Sequence, residues 1–490
     1  MRNLVPGKTT AKFLTILMSL LVCSTALAAS VKALIDQAAQ HELDGKFKES
    51  AALLKKAAVS PDSSQAEQRL IGFELDRLER IRRDFPLTRD ALFRELRESV
   101  EDLTRKEFDS WIEEGRFDSR VIDGKRFYMS ASVSNLYFRY PEIEGRRKQA
   151  KPLRRAKVAD IASAIRTAAI QTGSPYVLPM KFRATMNVSL KPGAAKPGQQ
   201  VRAWLPVPRA YPFQTGFEVL SSSPSVKIIA PETSPIRSAY FETTADKDGA
   251  AKFSITYRVI KHGVSFQLDP EKARKPELTP ELGPFTREAP HIVFTPEMKA
   301  LAAKIAGNEP NILRRAKRYY DWIGENIKYS YAIEYSTIRN ISDYCRTKGY
   351  GDCGQEALLF MTLCRMDGIP ARWQSGWNIF PGGKTIHDWC EIYIEPWGWF
   401  PVDPYMSIYA TRYATNLEPE QKRQVRDFYF GGLDQYRIAA NCDHSQELTP
   451  PKTGYRSDTV DFQRGEIDVD GRNVYYDKFT YSLDYTEDQP

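Results

Sequence analysis

The chain has 490 residues, too many for one compact domain, and about three are expected. With 42% hydrophobic and 27% charged residues and a mean hydropathy of −0.47, it excludes wholesale disorder and a polytopic membrane protein. The net charge of +8 is mild and spread along the chain, and no basic run is interleaved with aromatics, so it reads as a solvated exterior with no nucleic-acid partner.

The N-terminus comes first. Arg2, Lys8 and Lys12 precede an uncharged stretch from Phe13 to Leu27, and Ala26-Leu27-Ala28 follows as a small-x-small site. This is the layout of a secretory signal peptide over residues 1–28. The apolar stretch is short for a membrane span, which disfavours the rival reading of an uncleaved anchor. Val22 stands before Cys23 where a lipoprotein site needs a small residue. A secreted or periplasmic protein is expected, with no membrane span after cleavage.

Residues 29–150 read as an α-helical domain. Val31, Leu34, Ile35, Ala38 and Ala39 share one helix face, and Phe47, Ala51, Leu53 and Leu54 continue after Gly45. Further helices are predicted over residues 65–83 and 89–103, while residues 117–140 are aromatic and ambiguous. Residues 151–275 read as a β-rich domain. Phe182, Ala184, Met186, Val188 and Leu190 alternate with polar residues, and Phe253, Ile255, Tyr257 and Val259 do the same, as in an antiparallel sandwich. Proline-rich residues 269–290 form a linker. A third domain spans residues 285–445 and opens with helices over 297–307 and 312–326. Residues 446–490 read as a β-hairpin extension turning at Asp470-Gly471.

Five of the six cysteines lie between residues 345 and 442. That is too few for a disulfide scaffold, and the odd number leaves at least one thiol free in an exported protein. No close Cys spacing and only five histidines give no metal signature, and no acidic loop suggests calcium. The loop Gly349-Tyr-Gly-Asp-Cys353 leads into a helix carrying Ala357, Phe360, Met361 and Cys364 on one face. A thiol at a helix N-terminus sits by the positive end of the dipole, which lowers its pKa, and backbone N–H groups there can hold an oxyanion. After this helix come a strand over residues 371–377, a strand starting at His387, a turn at Pro396-Trp397-Gly398 and a returning strand to Asp403. Taken singly, Cys353 is an ordinary buried thiol, His387 a strand-start residue and Asp403 a turn residue before Pro404.

In this order they resemble the transglutaminase-like superfamily of papain-like thiol enzymes. The matching pattern is Gly-Asp-Cys-Gly, then Gly-Ile-Pro-Ala-Arg at 368–372, His387, and Gly-Trp-x-Pro-Val-Asp-Pro at 398–404, with spacings of 34 and 16 residues. It covers about a quarter of the chain. The resemblance implies an α+β fold in which a helix carrying Cys353 packs on an antiparallel sheet carrying His387 and Asp403. It also implies their roles: Cys353 the nucleophile, His387 the base and later acid, Asp403 the orienting group.

The sequence also poses a geometric problem. A symmetric turn at Pro396-Trp397 sets Asp403 opposite Cys390, so reaching His387 requires an asymmetric loop or a bulge. Asp388 points to the other face from His387, and Glu391 lies about 14 Å along the strand at 3.4 Å per residue. Neither joins the expected triad. Tyr329, Tyr331 and Trp377 are candidates for a second oxyanion donor. Trp373, Trp377, Trp389, Trp397 and Trp399 line either an acyl groove or the inside of a sheet. Gln355 carries no assigned role. The expected protein is a cofactor-free, metal-free thiol enzyme that acts on the amide or peptide bonds of a protein or peptide substrate through a thioester, most simply by hydrolysis. Amine transfer to a glutamine carboxamide, or a binding or scaffold protein that keeps the fold without turnover, are the alternatives. The sequence fixes no oligomeric state.

Overall fold

The computed structural model describes residues 30–148, 157–381 and 383–488. The expected leader, with Cys23, lies outside these residues. Among the described residues no helix is long and apolar enough to cross a membrane.

The amphipathic N-terminal pattern folds as read. Helices Val31–Leu43 and Phe47–Ala58 join at Gly45, whose φ of +74° suits the left-handed turn between them. Gln65–Asp84 starts with a capping box built by Ser64 and Glu67. The helix expected over 89–103 stops at Ser99, and a separate helix, Arg105–Glu113, follows behind its Thr104 cap. The ambiguous residues 117–140 hold a two-stranded hairpin, Ser119–Ile122 with Lys125–Tyr128, and a helix, Ser132–Arg139.

A helix, Val158–Thr172, precedes the strands of the β-rich region and was not anticipated. The strands then build two sheets. One contains Tyr176–Leu190, Gln214–Ser223, Ala251–Ser265 and Phe479–Asp488; the other contains Gln200–Pro206, Ser238–Thr244, Glu466–Val469 and Arg472–Val474. Their inner faces share one core that includes Phe182, Val188, Phe241, Phe253, Ile467 and Leu483. The alternation on Tyr176–Leu190 matches this packing: Phe182, Ala184, Met186, Val188 and Leu190 are the buried residues. The C-terminal hairpin does turn at Asp470-Gly471, both at positive φ, but it is not a free extension. Glu466–Val469 of the hairpin pairs with Gln200–Pro206 in one sheet, and the following strand Phe479–Asp488 pairs with Tyr176–Leu190 in the other.

A further sheet has four antiparallel strands, in the order Gly398–Val402, Thr385–Ile394, Ala371–Asn378 and Arg437–Asn441. The helix Cys353–Met366 is almost wholly buried against it, as an apolar run from Ala357 to Cys364 broken only by Thr362 demands. The helices Pro296–Ala306 and Ile312–Asn326 share its core. The whole is an α+β fold with the expected helix-on-sheet core.

Candidate active site

The loop before Cys353 is fixed by its own side chains. Asp352 is the helix N-cap, its carboxylate accepting from Gln355 N at 3.1 Å while Gln355 Oε1 accepts from Asp352 N at 3.3 Å. This capping box gives Gln355 a structural role, and Asp352-x-x-Gln355 was a readable signal for it. The Tyr335 hydroxyl donates to the same Asp352 carboxylate. Cys353 therefore starts the helix, half-buried, with no choice of backbone conformation.

His387 and Asp403 come together on the sheet. Cys390 pairs with Val402 and Ile394 with Gly398, so the connection is the three-residue loop Glu395, Pro396 and Trp397. That register carries Asp403 one position past Val402, opposite Trp389 rather than Cys390. A one-residue slip moves a side chain to the other face of a sheet. Asp403 thereby lands on the His387 face, diagonal to it, and His387 Nε2 is hydrogen-bonded to Asp403 Oδ2 at 2.8 Å. Both are buried, at 3% and 0% exposure. Trp389 stacks along the imidazole with ring centres 5.9 Å apart, and the Tyr405 ring stands edge-on at 5.5 Å.

Asp403 is held from behind. Arg437 Nη1 lies 2.9 Å from Asp403 Oδ2, and Arg437 Nε donates to Asp434 Oδ2 at 3.2 Å. The Tyr429 hydroxyl donates to the same Asp434 oxygen at 2.8 Å. Burial opposes the Arg437 charge, but Asp434 and Asp403 more than offset it. Arg437 arrives on the strand Arg437–Asn441, 34 residues beyond Asp403, and no local pattern announced it.

Cys353 faces the neighbouring residue. Its Sγ donates to Asp388 Oδ2 at 3.4 Å. Asp388 pairs with Ser375 and His387 with Gly376, so the two project to opposite faces, as expected. The contact to the thiol was missed because it depends on where the helix end meets the strand. Burial pushes the Cys353 thiol well up, and Asp388 and Asp352 add to it. The helix terminus alone implied the reverse; two flanking carboxyls and loss of solvent outweigh it. Asp388 is itself raised well above the carboxylate range by burial, by Asp461 and by Asp352. Gln463 Nε2 donates to Asp388 Oδ1 at 2.7 Å and to the His387 carbonyl at 2.8 Å, tying the strand to the C-terminal segment.

The other candidates separate cleanly. Glu391 accepts from Arg372 Nε at 2.6 Å and stands away from the site. Trp377 Nε1 donates to the Gln463 carbonyl at 3.1 Å, so that N–H is committed. Tyr331 is 48% exposed. Tyr329 packs on Tyr405 with ring centres 5.2 Å apart, and burial and the neighbouring Cys353 raise its hydroxyl. Trp373 and Trp389 are fully buried, on opposite faces of the sheet, and Trp399 packs on Phe285, Tyr393 and Arg372, so the tryptophans form sheet faces rather than one groove. All five described cysteines are free thiols.

Residues 299–404 match the transglutaminase-like superfamily. The uncharacterized protein YebA of Bacillus subtilis is 29% identical over 127 residues, which span 22% of this chain and only 17% of YebA. Among solved structures, a cysteine-protease candidate from Cytophaga hutchinsonii is 16% identical, covering 64% of this chain and 93% of that one at a TM-score of 0.42. The periplasmic domain of TgpA from Pseudomonas aeruginosa is 15% identical, covering 52% of this chain and 94% of that one at a TM-score of 0.26. The segment that matches the transglutaminase-like superfamily, residues 299–404, contains the Cys353 helix, the His387 strand and Asp403.

Proposed function

We propose that the chain is an exported thiol hydrolase of amide or peptide bonds, with Cys353 as nucleophile, His387 as base and acid, and Asp403 as the group that orients His387. The observation that carries the reading is the buried His387–Asp403 pair at 2.8 Å, one strand residue away from the carboxyl that touches the Cys353 thiol. Nε2 of His387 is engaged by Asp403, so Nδ1 is the nitrogen that serves the thiol. Cys353 rests as a thiol, because its surroundings disfavour thiolate. It loses its proton to His387 only as sulfur attacks the substrate carbonyl carbon.

The C=O bond opens to an oxyanion, which the Cys353 backbone N–H and the Tyr329 hydroxyl receive. The oxyanion collapses and breaks the C–N bond. His387 gives its proton to the departing amine, leaving a thioester on Cys353. Water then attacks the thioester while His387 takes a proton from it, and the C–S bond breaks to return the thiol and a carboxylic acid. Asp403 stabilises the imidazolium in both halves, and Arg437 and Asp434 keep Asp403 ionised and in place.

The test uses a mixture of peptide and carboxamide substrates with water enriched in oxygen-18. The expected results are an acyl adduct on the Cys353 peptide, absent in Cys353→Ala, and one heavy oxygen in the product carboxylate. An adduct whose acyl group passes to an added amine without oxygen-18 would establish transfer instead. No adduct and no product from any substrate would overturn the enzymatic reading.

A further inference from the structure

A second chemical feature adjoins the thiol. A cavity of about 300 Å³ lies between the N-terminal helices, the loop of residues 331–335 and the C-terminal segment. Its volume is at the small end of ligand pockets, the size for one amino-acid unit rather than a protein surface. Six carboxyl residues line it: Asp84, Glu334, Asp352, Asp388, Asp458 and Asp461. Two of them, Asp352 and Asp388, flank Cys353. Among the described residues no three His, Cys, Asp or Glu side chains are arranged to hold a metal ion.

The wall also carries a cation, Arg464, that feels the Asp458 and Glu334 carboxyls but keeps an unused donor. Arg464 lines the same cavity, and its Nε is buried without a hydrogen-bond partner. Among the described residues no carboxylate lies within ion-pairing distance of its guanidinium, which rests 4.8 Å from the centre of the Tyr476 ring. A buried guanidinium N–H left unsatisfied is costly, and a ligand carboxylate is its natural acceptor. The acidic wall is likewise in deficit. Burial pushes Asp84 and Asp458 up to about 7 and Asp352 to about 6. Near neutral pH Asp84 and Asp458 are thus still partly protonated, and an ammonium would take the place of those protons.

We propose that the cavity is the subsite for a C-terminal diamino acid, its free carboxylate on Arg464 and its side-chain ammonium on the acidic wall. The inference rests on the thiol-hydrolase reading and adds its substrate class. A residue with a free α-carboxylate has its α-nitrogen in the last peptide bond, so it lies on the amine side of the bond that Cys353 attacks. Cleavage there releases a diamino acid.

The probes are Nα-acetyl-lysine, Nα-acetyl-norleucine, which lacks the ammonium, and Nα-acetyl-lysine amide, which lacks the carboxylate. Each is titrated calorimetrically into the full chain carrying Cys353→Ala, so binding is read without turnover. Nα-acetyl-lysine is expected to bind at least about tenfold more tightly than either analogue, the effect of one charged hydrogen bond. Arg464→Gln should erase the preference for acid over amide, and Asp458→Asn should shrink the preference for lysine over norleucine. Equal binding of the three probes, or no saturable binding of Nα-acetyl-lysine at millimolar concentration, would overturn the subsite. So would equal kcat/KM for peptides with and without a C-terminal diamino acid, which would leave the thiol chemistry standing. Selective binding in a protein that cleaves no peptide supports the subsite, and it is then the hydrolase reading that fails.

Discussion

The Cys353 thiol donates to Asp388 at 3.4 Å, while His387, one residue earlier on the same strand, is turned to Asp403 at 2.8 Å. Adjacent strand residues face opposite ways, so one strand presents a carboxyl to the thiol and an imidazole to the Asp403 carboxylate. Burial sets the resting protonation of the sulfur, and the carboxyl next to it reinforces that state. Burial and Asp388 together hold Cys353 as a thiol.

Alkylation tests this. Wild-type Cys353 should react with a small electrophile along a pH curve whose midpoint lies above the free-thiol value of about 8.5. Asp388→Asn keeps the shape and the acceptor oxygen but cannot become an anion. Its midpoint should fall and its rate near neutral pH should rise. If Asp388→Asn reacts more slowly or with a higher midpoint than wild type, the carboxyl activates the thiol rather than restraining it.

Asp403→Asn should lose most activity and some stability. The amide can select the wrong imidazole tautomer, which removes the base. It also leaves Arg437, fully buried, with Asp434 as its remaining anion. Breaking a buried ion pair from one side costs about 3 kcal/mol. Activity assays paired with urea unfolding separate the two effects. An unfolding midpoint equal to wild type would show that Asp403 adds nothing to holding Arg437.

The local parts of this site were legible in the sequence and the long-range parts were not. Cys353 at a helix start follows from Gly349, Gly351 and the apolar run behind the thiol, all within a few residues. The strands of His387 and Asp403 follow from the turn at Pro396-Trp397-Gly398. Their meeting on one face did not follow, because it depends on a loop of three residues rather than two, and one residue decides the face. Gln463 reaches Asp388 from 75 residues away, and Asp84 meets the Glu334 backbone from 250. Such contacts leave no periodic trace. The helix Val158–Thr172 was hidden by its neighbourhood, a helix placed directly before the long strands it packs against.

Gly376 sits opposite His387 and directly against the strand Arg437–Asn441. A Cβ there would lie 1.9 Å from the Ile438 carbonyl oxygen and 3.0 Å from its carbon. Both atoms are backbone, so no side chain can move aside. Gly376→Ala should therefore part the strands that carry His387 and Arg437, costing more than about 4 kcal/mol, the range of severe core lesions. Circular dichroism melts of the variant measure it. A melting temperature within a few degrees of wild type would mean the two strands are less tightly paired than described.

The acidic cavity should make stability fall as pH rises. Burial pushes Asp84 up to about 7, against the opposing hydrogen bond from the Glu334 backbone N–H. The folded protein thus keeps a proton on Asp84 that the unfolded chain has already released. A group raised in the folded state contributes its full stability below the ordinary carboxylate value, near pH 4, and loses it as pH climbs through 7. The loss is about 1.4 kcal/mol per pH unit for such a group within that window. His291 works the other way: burial pushes it down to about 4, so it costs stability as the solution becomes acidic. The clean readout is the difference between wild type and Asp84→Asn, because His291 is common to both. Urea midpoints measured from pH 5 to 8 should show wild type losing ground to Asp84→Asn steadily, with most of the change complete by pH 7. A difference that stays flat across this range, or that grows in favour of wild type as pH rises, would mean Asp84 is ionised in the folded protein and the cavity wall holds no proton there.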